Sequence, residues 1–386
     1  MPIYLDHAAT TPLDPTVYTL LQTNLKKNFG NPSSLHSLGR AAKVALNQAR
    51  RKVAGVLHAQ AAEIFFTSGG TEGDNLVLFG LLRPGDHAIT SAIEHPAILQ
   101  AAAALTKRGV RFTYLKPRPN GCLDQQKVLA ALNKQTRLIS IMLANNEIGT
   151  LQPIAEIGQA LQKRRQKKLA TPFFHTDAVQ GAGLLSLDVQ ELGVDCLTLS
   201  AHKFYGPKGV GILFRRQGVP LEPLIWGGGQ EQGLRSGTEN LPSIVAAAGA
   251  LALAEKKRCR EFQRLQKLRD HLEQDILRVI PQVRVNGAAA PRLPGHLNLA
   301  FFGIEGESLI LHLDALGICA ATGSACSSRS LAPSHVLQAL GLPEQELHGS
   351  LRFSLGRDTT AQDLRFVLQS LKKVVVRLRQ ISAVRK

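Results

Sequence analysis

Aromatic residues, cysteines and long apolar runs are all scarce in this sequence. Aromatics make up 5% of the 386 residues, which argues against the stacking platforms that bind single-stranded nucleic acids. The five cysteines form no C-x-x-C pair and leave an odd number, which argues against a zinc site or a disulfide framework but leaves room for one reactive thiol. The longest nearly apolar run, residues 244–254, is too short to cross a bilayer. We therefore expect no membrane span, no nucleic-acid partner and no metal.

A signal peptide is also lacking, because residues 1–15 contain neither a basic segment nor an apolar core. We therefore expect a cytoplasmic protein. The chain is long for a single hydrophobic core, and 44% of its residues are hydrophobic, which suits one large and one smaller domain.

Positive charge, in contrast, is abundant, with a formal net charge of +17. Basic residues concentrate at 163–168, 256–269 and 372–386, where other residues interrupt them at helical spacing. This pattern predicts solvated helix faces, and attraction to an acidic protein partner is the second interpretation. No nucleic-acid-binding motif accompanies the charge.

Short apolar segments alternate with longer amphipathic segments through the first two thirds of the chain. Near-continuous apolar strands separated by helices are typical of a parallel sheet that is covered on both faces. We therefore predict an α/β fold with a mainly parallel seven-stranded sheet. The predicted strands are residues 63–67, 87–91, 111–115, 138–144, 173–177, 196–201 and 209–215, and the predicted helices include residues 95–108, 124–133 and 153–168.

The last third of the chain has a different pattern. One long charged helical stretch is followed by short strands at 296–302 and 351–355, with helices between them. This change predicts a second, smaller α+β domain. We place the large domain at residues 12–255 and the small domain at residues 1–11 and 256–386.

Several residues lie at or just beyond the carboxyl ends of predicted strands. In a parallel sheet these strand ends lie along one edge, where ligands bind. Taken singly, each such residue is more typical of a helix cap or a turn. Those of interest are Gly70, Thr71, His95, Asn146, Asp177 and Gln180.

Residues 200–214 add a hydroxyl, an imidazole and an amine after another apolar strand, at Ser200, His202 and Lys203. A lysine in a desolvated, electropositive pocket loses its proton more readily and can form a Schiff base. Pyridoxal 5'-phosphate needs such a lysine together with a phosphate cradle, a carboxylate for its ring nitrogen and a flat group over its ring. The combination predicts that Lys203 holds this cofactor, with Ser200 and His202 at the phosphate.

Further segments accompany these residues along the chain. They are, in order, "YLDHAATTP", "FTSGGTEGDN", "EHPAIL", "NNEIGTLQPI", "HTDAVQ", "SAHKFYGPKGVG", "GGGQEQGLRSGTEN", "ATGSACSSRS" and "LRFSLGRDTT". Together they resemble the cysteine desulfurases, which belong to the class V aminotransferase group of fold type I pyridoxal-phosphate enzymes. The resemblance covers essentially the whole chain and implies the fold of that group.

The resemblance also implies a role for each site residue. Lys203 binds the cofactor covalently and later moves the substrate's α-proton, while Asp177 pairs with the ring nitrogen and His95 stacks on the ring. The phosphate is bound by Gly70, Thr71, Ser200 and His202, together with Thr238 from the partner subunit of a homodimer. Gln180 and Asn146 bind the ring hydroxyl. Asn146 and Arg352 bind the substrate carboxylate.

Cys326 lies in residues 321–333, a run of small residues without a hydrophobic period, which predicts a loop. These polar surroundings disfavour the usual alternative of a small buried cysteine. The resemblance implies that the Cys326 thiolate attacks the sulfur of L-cysteine, keeps it as a persulfide and releases L-alanine. It further implies transfer of the sulfur to acceptor or scaffold proteins for iron–sulfur cluster assembly or other sulfur biosynthesis.

Alternatives stay open at this stage. A selenocysteine lyase or an aminotransferase-like enzyme would use the same cofactor residues, although a plain aminotransferase needs no thiol at Cys326. A non-catalytic scaffold protein would use the basic carboxyl-terminal segment, but the combination of Lys203, Asp177 and His95 argues against it. Arg357 competes with Arg352 for the substrate carboxylate.

Overall fold

The computed structural model describes residues 2–323 and 333–382. Its strands are β1 (Ile3–Tyr4), β2 (Ile64–Thr67), β3 (His87–Ser91), β4 (Arg111–Leu115), β5 (Thr136–Ser140), β6 (Phe173–Asp177), β7 (Cys196–Ser200), β8 (Gly211–Arg215), β9 (Val283–Asn286), β10 (His296–Phe301), β11 (Ile318–Cys319) and β12 (Ser350–Ser354). Its helices are α1 (Pro15–Lys27), α2 (Ser37–Leu57), α3 (Gly70–Leu81), α4 (Pro96–Thr106), α5 (Gln125–Ala130), α6 (Ile154–Gln166), α7 (Val189–Leu192), α8 (Leu241–Val279), α9 (Gly306–Asp314), α10 (His335–Ala339), α11 (Glu344–Leu347) and α12 (Ala361–Ile381).

A seven-stranded sheet has the strand order β2-β8-β7-β6-β5-β3-β4. The pairs from β7 through β6, β5 and β3 to β4 are parallel, whereas β8 is antiparallel to both β7 and β2. The connection from β7 to β8, residues 201–210, is shorter than the roughly twelve residues that a parallel crossover needs, so the chain returns in the opposite direction. The prediction of a mainly parallel seven-stranded sheet is confirmed.

Both faces of this sheet are buried, as the alternation along β2 illustrates. Ile64 and Phe66 pack in one core cluster with residues of α2, α6 and α8, whereas Phe65 packs in another with residues of α3 and α4. Successive side chains of a strand point to opposite faces, so a strand covered on both sides needs apolar residues at nearly every position. This is why the strands appear in the sequence as continuous apolar runs.

Helix α8 is one continuous helix of 39 residues that connects two core clusters. Its first part, which includes Ala247 and Leu251, packs against the large sheet, and its later part, which includes Leu265 and Leu272, packs against the antiparallel sheet β12-β10-β9. Helix α8 passes residue 255 without a break, so the boundary between the two domains that we place at this residue stays a prediction. Within the described ranges, no helix combines the length and apolar character needed to cross a membrane.

The parallel arrangement brings the carboxyl ends of β2, β3, β5, β6 and β7 to one edge of the large sheet. The amino-terminal segment reaches the same edge, because β1 pairs with β11 and Thr11 N donates a hydrogen bond to His202 O at 2.9 Å. Loops from several strands and a segment from the chain's beginning therefore surround one site.

Candidate active site

A cavity of about 320 Å³ lies at this edge of the sheet. Its volume is that of a pocket for a small organic ligand. The residues predicted from the sequence that line it are Gly70, Thr71, His95, Asn146, Asp177, Gln180, Ser200, His202, Lys203 and Arg352. Thr238 is exposed and is not part of its lining, and Cys326 lies outside the described residues.

Lys203 ends the short 3-10 turn Ala201–Lys203 that directly follows β7. Its Nζ donates hydrogen bonds to Ala9 O at 2.8 Å and to Ala8 O. The "YLDHAATTP" segment, to which the sequence suggested no individual role, therefore holds the amine at the cavity wall.

Asp177 is the last residue of β6 and is buried. Its Oδ1 accepts a hydrogen bond from Val179 N at 2.9 Å. Burial raises the pKa of this carboxyl, and the hydrogen bond from Val179 N and the positive charge of Lys203 act in the opposite direction. A buried carboxylate is stabilised by a cationic partner, and the protonated ring nitrogen of a bound ligand would be such a partner.

His95 is the N-cap residue of α4 and presents a flat ring to the same cavity. Its Nδ1 accepts a hydrogen bond from Ala97 N at 3.1 Å, and burial lowers the pKa of the ring. A neutral imidazole whose Nδ1 accepts must carry its proton on Nε2. The ring is thus an uncharged platform with one N–H donor.

The opposite part of the cavity suits an anion. Helix α3 begins here at Gly70, behind an N-cap glycine that offers no capping side chain, so the N–H groups of its first turn are available. A Cβ at position 70 would lie 3.0 Å from Val179 Cγ2, so the backbone approaches closely. The Ser200 hydroxyl and the His202 ring border the same space, and burial lowers the pKa of His202 to about 4. This donor set fits a phosphate group.

Arg352 and Arg357, the two candidates for a substrate carboxylate, have different surroundings. Arg352 is 2% exposed, lines the cavity, and donates from Nη1 to Asn146 O at 2.9 Å and from Nη2 to Asp6 Oδ1 at 2.7 Å. Arg357 instead pairs with Asp14 at 3.0 Å and lies over the ring of Tyr205. Arg352 is therefore the guanidinium at the cavity wall.

Carboxyl groups that sequence reasoning missed also surround the cavity. Asp74 and Glu147 line it, and Glu94, which directly precedes His95, is fully buried. Burial raises the pKa of all three carboxyls, to about 8 for Glu94. The available signal was weak, because acidic residues near a helix start, as Asp74 and Glu94 are, are also typical of exposed caps, and Glu147 lies between β5 and α6, where a loop residue is commonly exposed. Only the tertiary structure distinguishes these buried acids from ordinary caps.

With this geometry in hand, comparison with known proteins identifies the family. The model of the class-V aminotransferases matches residues 3–367. The chain belongs to this family of pyridoxal-phosphate-dependent enzymes.

Within the family, the chain is similar to cysteine desulfurases. A curated relative from Dictyoglomus turgidum, named cysteine desulfurase IscS, is 47% identical over 384 residues, which cover 98% of this chain and 96% of the relative. A solved structure described as a NifS-like protein superposes with a TM-score of 0.90 at 34% identity, covering 98% of this chain and 100% of that one. The structure of SspA in complex with cysteine has a TM-score of 0.78 at 34% identity, with 92% and 98% covered.

Proposed function

We propose that this enzyme is a cysteine desulfurase, which converts L-cysteine to L-alanine and transfers the sulfur, as a persulfide on Cys326, to acceptor proteins of iron–sulfur cluster assembly. The observation that carries the proposal is the convergence of Lys203, Asp177 and Arg352 on one cavity. An amine, a ring-nitrogen partner and a carboxylate receptor are what an amino-acid substrate and this cofactor require. The similarity to a relative named cysteine desulfurase supports the same conclusion.

Pyridoxal 5'-phosphate fits the donor set of this cavity. Helix α3, Ser200 and His202 offer donors for its phosphate, and the buried Asp177 carboxylate suits its ring nitrogen. When bound, it supplies an electron sink for negative charge at the substrate's α-carbon. The residues that would hold it are Gly70, Thr71, His95, Asn146, Asp177, Gln180, Ser200, His202 and Lys203.

In this proposal Arg352 orients the substrate by binding its carboxylate. A guanidinium presents a planar fork that binds a carboxylate through two parallel hydrogen bonds. Arg352 Nε is buried and has no hydrogen-bond partner among the described residues, although Nη1 and Nη2 are bonded, so it retains a donor for a ligand. Asn146 lies beside it and can share the carboxylate.

Lys203 and His95 are the residues that transfer protons in this proposal. The Lys203 amine, held by the backbone oxygens of Ala8 and Ala9, takes the α-proton from the bound substrate once the amine is unprotonated. The His95 Nε2–H can donate a hydrogen bond or a proton at the same cavity wall. These roles make Lys203 and His95 catalytic residues together with Cys326.

The Cys326 thiolate is the nucleophile of the sulfur-transfer step. Its sulfur forms a bond to the substrate sulfur, the bond between that sulfur and the substrate's β-carbon breaks, and a proton completes the methyl group of alanine. The balance is L-cysteine plus the Cys326 thiol giving L-alanine plus the Cys326 persulfide. An acceptor thiol then removes the outer sulfur.

We also propose a homodimer in which Thr238 of one subunit completes the phosphate site of the other. Thr238 is exposed and lies away from the cavity lining of its own chain. Leu35 and Trp226 are 89% and 77% exposed, and we expect the partner subunit to cover them. The cytoplasmic location stays a prediction.

The decisive experiment is a single turnover with Cys326→Ser. The variant should keep the cofactor's absorption and bind L-cysteine, but it should form no persulfide and release alanine at least about 100-fold more slowly than wild type. Mass spectrometry of the Cys326 peptide and alanine quantification provide the measurement. Alanine formation from L-cysteine at the wild-type rate would rule out the proposed mechanism. The selenocysteine lyase alternative would be favoured by two results together. The wild-type enzyme would prefer L-selenocysteine to L-cysteine, and Cys326→Ser would still cleave L-selenocysteine at the wild-type rate.

A further inference from the structure

Glu147 follows β5 in the "NNEIG" segment, and its side chain has a fixed position at the cavity wall. The residue is 1% exposed. Its backbone N–H donates to Asn145 Oδ1 at 2.9 Å, and its backbone oxygen accepts from Asn298 Nδ2 at 3.1 Å. Both backbone groups are thus bonded to buried side chains, and the burial of the residue leaves its carboxyl little room to move.

This carboxyl accepts a hydrogen bond from Ser334, which lies just after residues 324–332, the segment that carries Cys326. Ser334 stands at the start of α10, and its Oγ accepts hydrogen bonds from Val336 N at 3.1 Å and Leu337 N at 3.3 Å. A serine hydroxyl has two lone pairs and a single hydrogen. Because both lone pairs are occupied, the hydrogen points to Glu147 Oε2, which lies 2.5 Å from Ser334 Oγ. Glu147 is thus the acceptor in this contact.

The same carboxyl packs against Gly323, which directly precedes residues 324–332. A Cβ placed on Gly323 would overlap Glu147 Oε2, so a larger residue at this position would displace the carboxyl. Gly323 is also held from other sides, because its N–H donates to Ser350 Oγ at 3.4 Å and its oxygen accepts from Arg352 Nη1 at 3.5 Å. The two flanks of residues 324–332 therefore meet at one buried carboxyl group.

We propose that Glu147 is a positioning residue for sulfur transfer: through Gly323 and Ser334 it fixes both flanks of the segment that carries Cys326. The inference rests on the proposed desulfurase function. Holding Gly323 and Ser334 against one carboxyl fixes the two points between which the segment with the nucleophile is connected, and reactions between groups with fixed positions are faster. Glu147 serves the step that needs the thiol, whereas the steps that need only Lys203 and the cofactor are independent of the contact with Ser334.

This division of labour can be measured with two assays on the cofactor-loaded enzyme. The first is the single-turnover rate of persulfide formation on Cys326. The second is exchange of the α-proton of L-alanine in D₂O, which requires Lys203 and the cofactor but no thiol. A residue that merely supports the pocket would affect both rates in the same proportion.

Glu147→Ala should lower the persulfide rate at least about tenfold while changing the exchange rate less than about threefold. Glu147→Gln keeps an oxygen acceptor of similar shape for Ser334 and should restore most of the persulfide rate. Ser334→Ala removes the donor from the other side and should show the same split. The double variant Glu147→Ala with Ser334→Ala should be little worse than Glu147→Ala alone, because both changes break one contact.

Two results would overturn the proposal: an equal fall in both assays, or a persulfide rate in Ser334→Ala that matches wild type. If Glu147→Ala does not fold, as judged by cofactor absorption and thermal unfolding, the comparison of Ser334→Ala with Ser334→Thr decides. Threonine keeps the hydroxyl and should preserve the rate. Failure of the desulfurase function itself would look different, since wild type would then form no persulfide at all.

Discussion

The cavity edge of the large sheet and the outer surface of α12 both carry ionisable residues, but in opposite environments. At the cavity, Asp177 and Glu94 are buried, and burial raises the pKa of both carboxyls. On α12, Lys372, Lys373 and Arg377 are exposed to water. An uncompensated buried charge costs several kcal/mol, whereas an exposed ion pair contributes about 0–1 kcal/mol. A few buried groups therefore govern the chemistry of this protein, although its net charge of +17 is the more conspicuous feature of its composition.

The largest effect is expected from Lys203→Ala at the cavity. Without the amine there is no covalent attachment of the cofactor and no base for the α-proton, so turnover of L-cysteine should fall below detection. Borohydride reduction of the wild type followed by peptide mapping should locate the cofactor on Lys203. A label on a different lysine would contradict the assignment of this residue.

Asp177→Asn should have the next largest effect. An amide cannot balance the positive charge of a protonated ring nitrogen, so turnover should fall roughly 100- to 1000-fold while cofactor binding persists in part. Steady-state alanine formation and the cofactor's absorption spectrum are the measurements. Near-wild-type turnover would show that the ring nitrogen does not depend on this carboxylate.

Glu94→Gln should change how stability depends on pH. The pKa of Glu94 is raised from 4.5 to about 8 by burial. Between these values the folded protein retains a proton that the unfolded chain releases, so the free energy of unfolding decreases as pH rises from 4.5 to about 8. Glutamine cannot ionise, so the variant should lose this decrease and gain up to a few kcal/mol relative to wild type near pH 8.

Denaturant unfolding of wild type and Glu94→Gln at about pH 5 and about pH 8 tests this expectation. The variant keeps an oxygen acceptor for Ser91 Oγ and Met142 N, the two donors that Glu94 Oε1 accepts from in the wild type. Parallel pH dependences of the two proteins would show that Glu94 does not hold the proton.

The smallest effect is expected on the surface of α12. Lys372→Ala combined with Lys373→Ala should change the free energy of unfolding by less than about 0.5 kcal/mol per residue. Alanine formation with a small reducing thiol as sulfur acceptor should stay at the wild-type rate, because both side chains are exposed and lie outside the cavity lining. A loss of activity comparable to that of Asp177→Asn would remove the contrast between the two regions.

Much of the local structure was predictable from the sequence. Strands β3, β4 and β6 were predicted to the residue, since each is a short segment rich in aromatic, isoleucine and threonine residues and is followed by turn or cap residues. The prediction for β5 was less accurate, because residues 141–144 are also apolar and buried but belong to the loop that leads into the site. Burial alone produces an apolar run, whether or not the segment is a strand.

The candidate site was predictable for a different reason. Gly70, His95, Asp177 and Lys203 each lie at or just beyond the end of a predicted strand, and the carboxyl ends of parallel strands must meet at one edge. Their convergence on one cavity thus follows from the fold class together with the positions of a few residues. Periodicity and strand-end placement are local properties, and the amino-acid sequence by itself determined them.

Only the tertiary structure decided which distant residues share that site. It separated Arg352, at the cavity wall, from Arg357, which pairs with Asp14, and it brought the backbone oxygen of Ala9 to Lys203 Nζ. It also buried Glu147 between the two flanks of residues 324–332. No local pattern records these relationships, because they depend on strand order and on packing between segments far apart in the chain, and the pKa of a carboxyl depends on the burial that such packing creates.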